Sequence, residues 1–218
     1  MLFRSPKRTG HSTFKPGLFS LDGAVEGWQD YATGAVDQTL GLTQFATRPQ
    51  YPFSIVPSVG VTTIAAGDRA YLMRGIVTEL ESPLEVGEPV GVRFALMGDT
   101  SFARGHVGAP SATRSSTLTG TAVAQAGPTA TQFLYATLHV FATTGSPTLD
   151  VVIQSDDSGG FGTPTARITF AQATSAGGAN WYQFSSVAGS FVSESHLRAV
   201  GTFGGTGSIT YAVFFGVA

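Results

Sequence analysis

The sequence predicts an all-β protein with one short helix, and three observations carry that prediction. Runs that alternate apolar residues with Thr, Ser or Gly recur along the chain, which is the period-two signature of strands. The 28 glycines and 11 prolines among 218 residues gather between those runs, where turns are needed. Charge is also segregated. After about Ser115 the only charged residues are Asp150, Asp156, Asp157, Glu194, Arg167 and Arg198, whereas the other 20 of the 26, ten basic and ten acidic, precede it. This contrast predicts two all-β units, residues 1–115 and 116–218.

The elements follow in order. Arg4, Lys7, Arg8 and Lys15 make the first segment a basic arm with no helical or strand period, broken by Gly10 and Pro16-Gly17. Leu18 to Trp28 alternates imperfectly around glycines and predicts a twisted strand. From Gly34, the spacing of Ala35, Val36, Thr39, Leu40 and Leu42, with Asp37 in the first turn, predicts the helix. Tyr51–Val56 and Gly60–Ile64 are short strand candidates. Arg69–Leu80 and Pro89–Met97 are longer ones, separated by Ser82-Pro83 and Val86-Gly-Glu-Pro89, and are expected to pair antiparallel. Gly108 to Gly127 is so rich in Gly, Ala, Pro, Ser and Thr that composition predicts a linker.

Beyond it, Phe133–Ala142 alternates on both faces, with Leu134, Ala136, Leu138 and Val140 opposite Phe133, Tyr135, Thr137, His139 and Phe141. Thr148–Gln154, Thr165–Ala171, Trp181–Ser185, His196–Thr202 and Ser208–Val217 are further strands, with Gly204-Gly-Thr-Gly207 expected as a turn. That cadence predicts an Ig-like or jelly-roll-like sandwich.

Composition narrows function. With no cysteine, disulfides and thiolate metal sites are excluded. The basic N-terminus lacks the apolar run of a secretion signal, and no stretch approaches a membrane span, so a soluble protein without membrane contact is expected. A net charge of -2 disfavours tight, nonspecific binding to phosphates.

Catalytic and binding constellations are weak. His11, His106, His139 and His196 stand in four separate segments without a nucleophile elbow, so no enzyme is expected. His139 and His196 could pair across a sheet, although an ordinary hydrogen-bonded histidine is the better reading. Ser155-Asp-Asp-Ser-Gly-Gly160 has oxygen ligands suited to Ca²⁺, yet a hairpin turn accounts for the same residues. Trp181, Tyr182, Phe184 and Phe161 would form a sugar-stacking platform only if exposed. No metal or cofactor is expected.

Lys7-Arg-Thr-Gly-His-Ser-Thr-Phe-Lys-Pro-Gly-Leu18, Ser20 to Trp28 and the short helix ending at Leu40-Gly41 come first. Gly67-Asp-Arg-Ala-Tyr71 then opens a long strand, and Arg104-Gly105 follows the closing one. In this order they resemble the tail tube proteins of long-tailed (siphovirus-like) bacteriophages. Leu134 to Val140 and Thr148 to Phe161 resemble phage tail text more specifically.

The resemblance implies a tail-tube-type sandwich or barrel core bearing the second sandwich. It implies a virion protein whose homo-hexameric rings stack into a tube with other phage tail proteins, DNA passing through the lumen at ejection without specific binding. On that resemblance the assembly surface is expected at Arg4, Lys7, Arg8, Lys15, Tyr71 and Arg74. One departure is that the text before Arg69 is short of long strands, so strands from beyond Ser115 would have to contribute. The alternatives are a receptor- or glycan-binding virion protein, with weak host-glycan contact through the C-terminal unit, and a capsid decoration protein.

Overall fold

The computed structural model describes residues 22–28, 50–57, 63–81, 91–98, 102–174 and 181–218. It is all-β, and among the described residues there is no helix. The helix expected from Gly34 and the basic arm both lie outside the described residues. The strands are β1 (Asp22–Trp28), β2 (Tyr51–Ile55), β3 (Arg69–Glu81), β4 (Gly91–Gly98), β5 (Ala103–Arg114), β6 (Leu118–Thr119), β7 (Val123–Ala124), β8 (Phe133–Asp156), β9 (Thr165–Thr169), β10 (Ala173–Thr174), β11 (Trp181–Ala188) and β12 (His196–Val217). They form one antiparallel sheet along the path β1-β4-β3-β5-β12-β8-β10, with β2 on β3, β9 and β11 on β8, and β6 and β7 on β12.

Its spine is the β8–β12 ribbon. Phe133–Ala142 and Thr148–Gln154, expected as two strands, are one strand of 24 residues, and His196–Thr202 and Ser208–Val217 are likewise one of 22. The expected turn Gly204–Gly207 lies inside β12. Glycine explains the difference: Gly145, Gly205 and Gly207 take positive φ values of 76°, 75° and 118°, which bend both strands at the same level without breaking their ladder. Gly207 could be nothing else, because a Cβ there would stand 1.8 Å from the Thr144 carbonyl oxygen.

The bend lets the two halves of the ribbon face each other. Leu134, Ala136, Leu138 and Val140 from the first half of β8 share a core with Leu149, Val151 and Ile153 from its second half, joined by Leu197, Ala199, Ile209, Val213 and Phe215 of β12. A Cβ on Gly201 would come 2.6 Å from the Tyr211 hydroxyl, and one on Gly108 2.7 Å from the Phe215 ring. The layers are therefore packed to contact, with strands that change layer at a glycine bend.

The stretch expected as a linker is thus mostly ordered sheet: it holds the second half of β5, β6 and β7. At Gly108, Gly120 and Gly127 the small residue reflects close approach, since a Cβ there would come 2.7, 2.5 and 2.4 Å from Phe215, Ala199 and Phe191 respectively. The boundary near Ser115 falls between β5 and β6, and β5, from before it, shares a ladder with β12, from after it. Strands from beyond Ser115 do therefore extend the sheet that begins at β1.

On the opposite face of the first half of β8 a second, smaller core forms. Ala70 and Leu72 of β3, Ala103 and Val107 of β5, Ala212 and Phe214 of β12 and Tyr135 of β8 pack together, with Val56 and Phe184 at the margin. The strands β2-β3-β5-β12-β8-β11 curl around this core until β2 approaches β11.

Candidate assembly surface

Beyond this curled sheet the chain extends an arm. The expected pairing of the two long strands is found, with Gly75 opposite Gly98 and Glu81 opposite Arg93. β2 accompanies β3 only as far as Gly75, and β5 pairs only with Arg69–Leu72. From Ile76 onward, β3 has β4 on one edge and no partner on the other among the described strands. β4 in turn carries β1, with Glu26 opposite Arg93 and Asp22 opposite Met97, and the outer edge of β1 also has no described partner. The result is a three-stranded arm about 25 Å long at ~3.3 Å per residue. Thr78 and Glu79 on it are exposed, as is Met97, 43% accessible.

At the base of the arm, register and alternation decide which side chains share a surface. Ala70 and Leu72 point into the smaller core, so Arg69 and Tyr71 lie on the other face of β3. Tyr71 sits directly between Ile55 of β2 and Arg104 of β5, while Arg69 is opposite His106. The Tyr71 ring stacks on Phe102, with centroids 5.0 Å apart and planes 12° off parallel. Phe102 and Ile55 are 40% and 49% accessible, and Arg69 and Arg104 are exposed. Asp68, the neighbouring carboxylate, accepts a hydrogen bond from the Ala65 amide at 2.8 Å. Burial first, then the Arg69 charge, holds the His106 imidazole below its usual range, with Arg104 adding to this against a hydrogen bond with Gln125 that raises it.

Of the residues expected at an assembly surface, Tyr71 is on this patch. Arg74 is not, because it has the opposite parity on β3: its guanidinium lies 5.5 Å from the centroid of Phe184, at the rim of the smaller core. Arg4, Lys7, Arg8 and Lys15 lie outside the described residues. Ile55, Phe102 and Arg104 escaped sequence reasoning, since only the pairing of β3 with both β2 and β5 brings them to Tyr71. The Arg104-Gly105 pair after the closing strand was the available signal.

The other constellations resolve into structure. The Ser54 hydroxyl on β2 lies 2.7 Å from Thr137 Oγ1 and 2.9 Å from His139 Nε2 on β8, joining the two margins of the curled sheet. His139 also packs edge-on against Phe214 at 5.7 Å, and its burial lowers its pKa to about 4, so it is neutral at pH 7. His196 pairs with Asp156 at the far end of the ribbon, whereas His139 pairs with Ala212, so the two histidines do not meet.

Ser195, His196 and Asp156 do come together, but not as a catalytic triad. The Ser195 hydroxyl donates to the Asp157 carbonyl at 2.7 Å, so its contact with His196 Nδ1 at 2.9 Å needs the ring nitrogen as donor, the reverse of a general base. Asp156 is occupied as well: one oxygen accepts the Ser158 amide and the other the Thr163 amide, each at 3.0 Å. These bonds, Ser158 first, hold its carboxyl below the usual range, and its hydrogen bond and charge hold that of Asp157 above. Asp156 thus staples the 156–163 turn. Among the described residues no group of three His, Asp or Glu could hold a metal.

Phe161 is buried with the Arg198 guanidinium 4.1 Å from its ring centroid, and Phe184 packs 5.6 Å from Tyr135, so neither offers an open stacking face. No protein-family model, curated protein or solved structure matches the chain.

Proposed function

We propose that this protein is a non-enzymatic structural virion protein, a tail tube subunit whose hexameric rings stack into the conduit for phage DNA. The observation that supports it most is the arm formed by β1, β4 and the second half of β3. It leaves two strand edges without described partners. A long open edge is an aggregation hazard in a monomer and a joint in an assembly, because its unpaired amides and carbonyls are satisfied by the next strand. Extension of the sheet from subunit to subunit closes into a ring when each contact turns the chain by a fixed angle. The succession of elements that resembles tail tube proteins supports the same reading. Ser195, His196 and Asp156, held in hydrogen bonds of the wrong sense for nucleophile activation, favour a structural role over catalysis.

Electron microscopy of the purified protein at rising concentration tests this. Hollow tubes or stacked six-fold rings are expected. Uniform small particles at every concentration would overturn it in favour of a decoration or glycan-binding protein.

A further inference from the structure

The outer face of β3 at Tyr71 combines exposed positive charge with exposed apolar surface. Register puts Ile55, Tyr71 and Arg104 in one row across β2, β3 and β5, with Arg69 two residues along β3 and Phe102 two along β5. Arg69 and Arg104 are exposed beside Phe102 and Ile55. Neither guanidinium has a carboxylate partner among the described residues, and Asp68 is engaged by the Ala65 amide. Their field reaches His106, whose imidazole both arginines hold down after burial, the first cause.

We propose that the Arg69–Tyr71–Arg104 patch docks an acidic, extended segment of a different protein, with two carboxylates spaced two residues apart. Charge complementarity selects the acid, steering encounter and fixing register. Spacing selects the extended form. Arg69 and Arg104 are diagonal neighbours on adjacent strands, about 7–8 Å apart, and alternate residues of an extended chain stand about 7 Å apart on one face. The Tyr71–Phe102 stack and Ile55 select a polypeptide, since aromatic residues with arginine beside them are the composition of protein interface cores. Nucleic acid fits less well, because two guanidiniums release counterions for only about two phosphates and the chain as a whole carries a net charge of -2. A second copy also fits less well, because among the described residues Asp150 is held by Gln172, Asp156 by two amides and Glu194 by Arg167. The contact is separate from the arm edges on which the tube reading rests.

Fluorescence anisotropy tests it with a short labelled peptide that carries Leu, Glu, Glu and Leu at alternate positions between serines, so that all four share one face when extended. Wild type is expected to bind it, and R69E/R104E at least tenfold more weakly, with unchanged circular dichroism and melting temperature because both side chains are exposed. A peptide with Gln for Glu is expected to lose as much, and wild-type binding to fall as salt rises to 1 M, where the screening length is about 3 Å. Equal binding by R69E/R104E, or none by wild type, would overturn the proposal. Tighter binding of wild type to oligothymidylate, lost in R69E/R104E, would make the patch a phosphate surface and overturn it too. So would self-association in sedimentation velocity that R69E/R104E abolishes while the peptide stays unbound, since a second copy would then be the occupant. Rings or tubes formed by R69E/R104E leave the tube reading standing whatever the peptide does. Wild type that binds the peptide yet never forms rings or tubes overturns that reading and supports this one.

Discussion

The two faces of the first half of β8 are built from alternate residues of one ten-residue run, yet they do different work. Leu134, Ala136, Leu138 and Val140 are at most 2% accessible and share a core of apolar side chains and Tyr211 with the other layer. Tyr135, Thr137 and His139 face a core that also contains a hydroxyl from β2 and a guanidinium at its rim. The first face is close-packed and apolar, so it carries stability through burial, at roughly 25 cal/mol per Å². The second adds geometry, because a polar group that must find its partner tolerates one placement of β2 and not its neighbours. The same strand thus bonds the layers with one face and positions the base of the arm with the other.

The comparison can be broken at four points, from the largest effect to the smallest. Leu138→Ala, at a side chain with no exposure, leaves a cavity between layers and is expected to cost about 2–5 kcal/mol in chemical denaturation. A loss below about 1 kcal/mol would mean the layers are not in contact there.

The second point is pH. The folded-state pKa of His139 is lowered to about 4 from 6.5, so the unfolded chain binds the proton more tightly. Its contribution is complete above pH 6.5 and declines as pH falls towards 4, by at most about 1.4 kcal/mol per pH unit. His139→Gln removes the part of the slope due to this residue, and denaturation midpoints of both proteins between pH 6.5 and 5 measure it. Parallel curves would show that His139 is open to water.

Ser54→Ala deletes the hydroxyl that joins β2 to β8 and leaves Thr137 and His139 without that partner. A loss of about 1 kcal/mol is expected, with faster amide exchange in β2 but not in the β8–β12 ribbon. Uniform acceleration would mean that the seam and the ribbon open together.

Tyr211→Phe sharpens the contrast from the apolar side. The Tyr211 hydroxyl is buried with no hydrogen-bond partner among the described residues, and burial pushes its pKa up. Removing it is expected to be neutral or to stabilise by up to about 1 kcal/mol. A loss would reveal a bonded partner for the hydroxyl.

How much was legible follows from range. The alternation of Phe133–Ala142 identified both of its faces, and Arg69–Leu80 with Pro89–Met97 identified the hairpin of the arm, because alternation and intervening turn residues are local signals. The linker expectation at Gly108–Gly127 missed because small residues have two causes, flexibility and close approach, and only tertiary neighbours such as Phe215 at Gly108 and Phe191 at Gly127 distinguish them. Tyr71 and Arg74, both expected at an assembly surface, lie on opposite faces of β3, because the pleat separates residues an odd number apart.

By itself, then, the sequence determined an all-β chain, most strand positions, the charge contrast between its halves and the pair of strands that make the arm, all consequences of period-two burial and turn chemistry. The tertiary structure alone decided that four expected strands are two, that the glycines at 145, 205 and 207 bend them together, and that Ile55, Tyr71, Phe102 and Arg104 share one surface. Backbone pairing over long separations sets these, and composition does not encode which strand will be the neighbour.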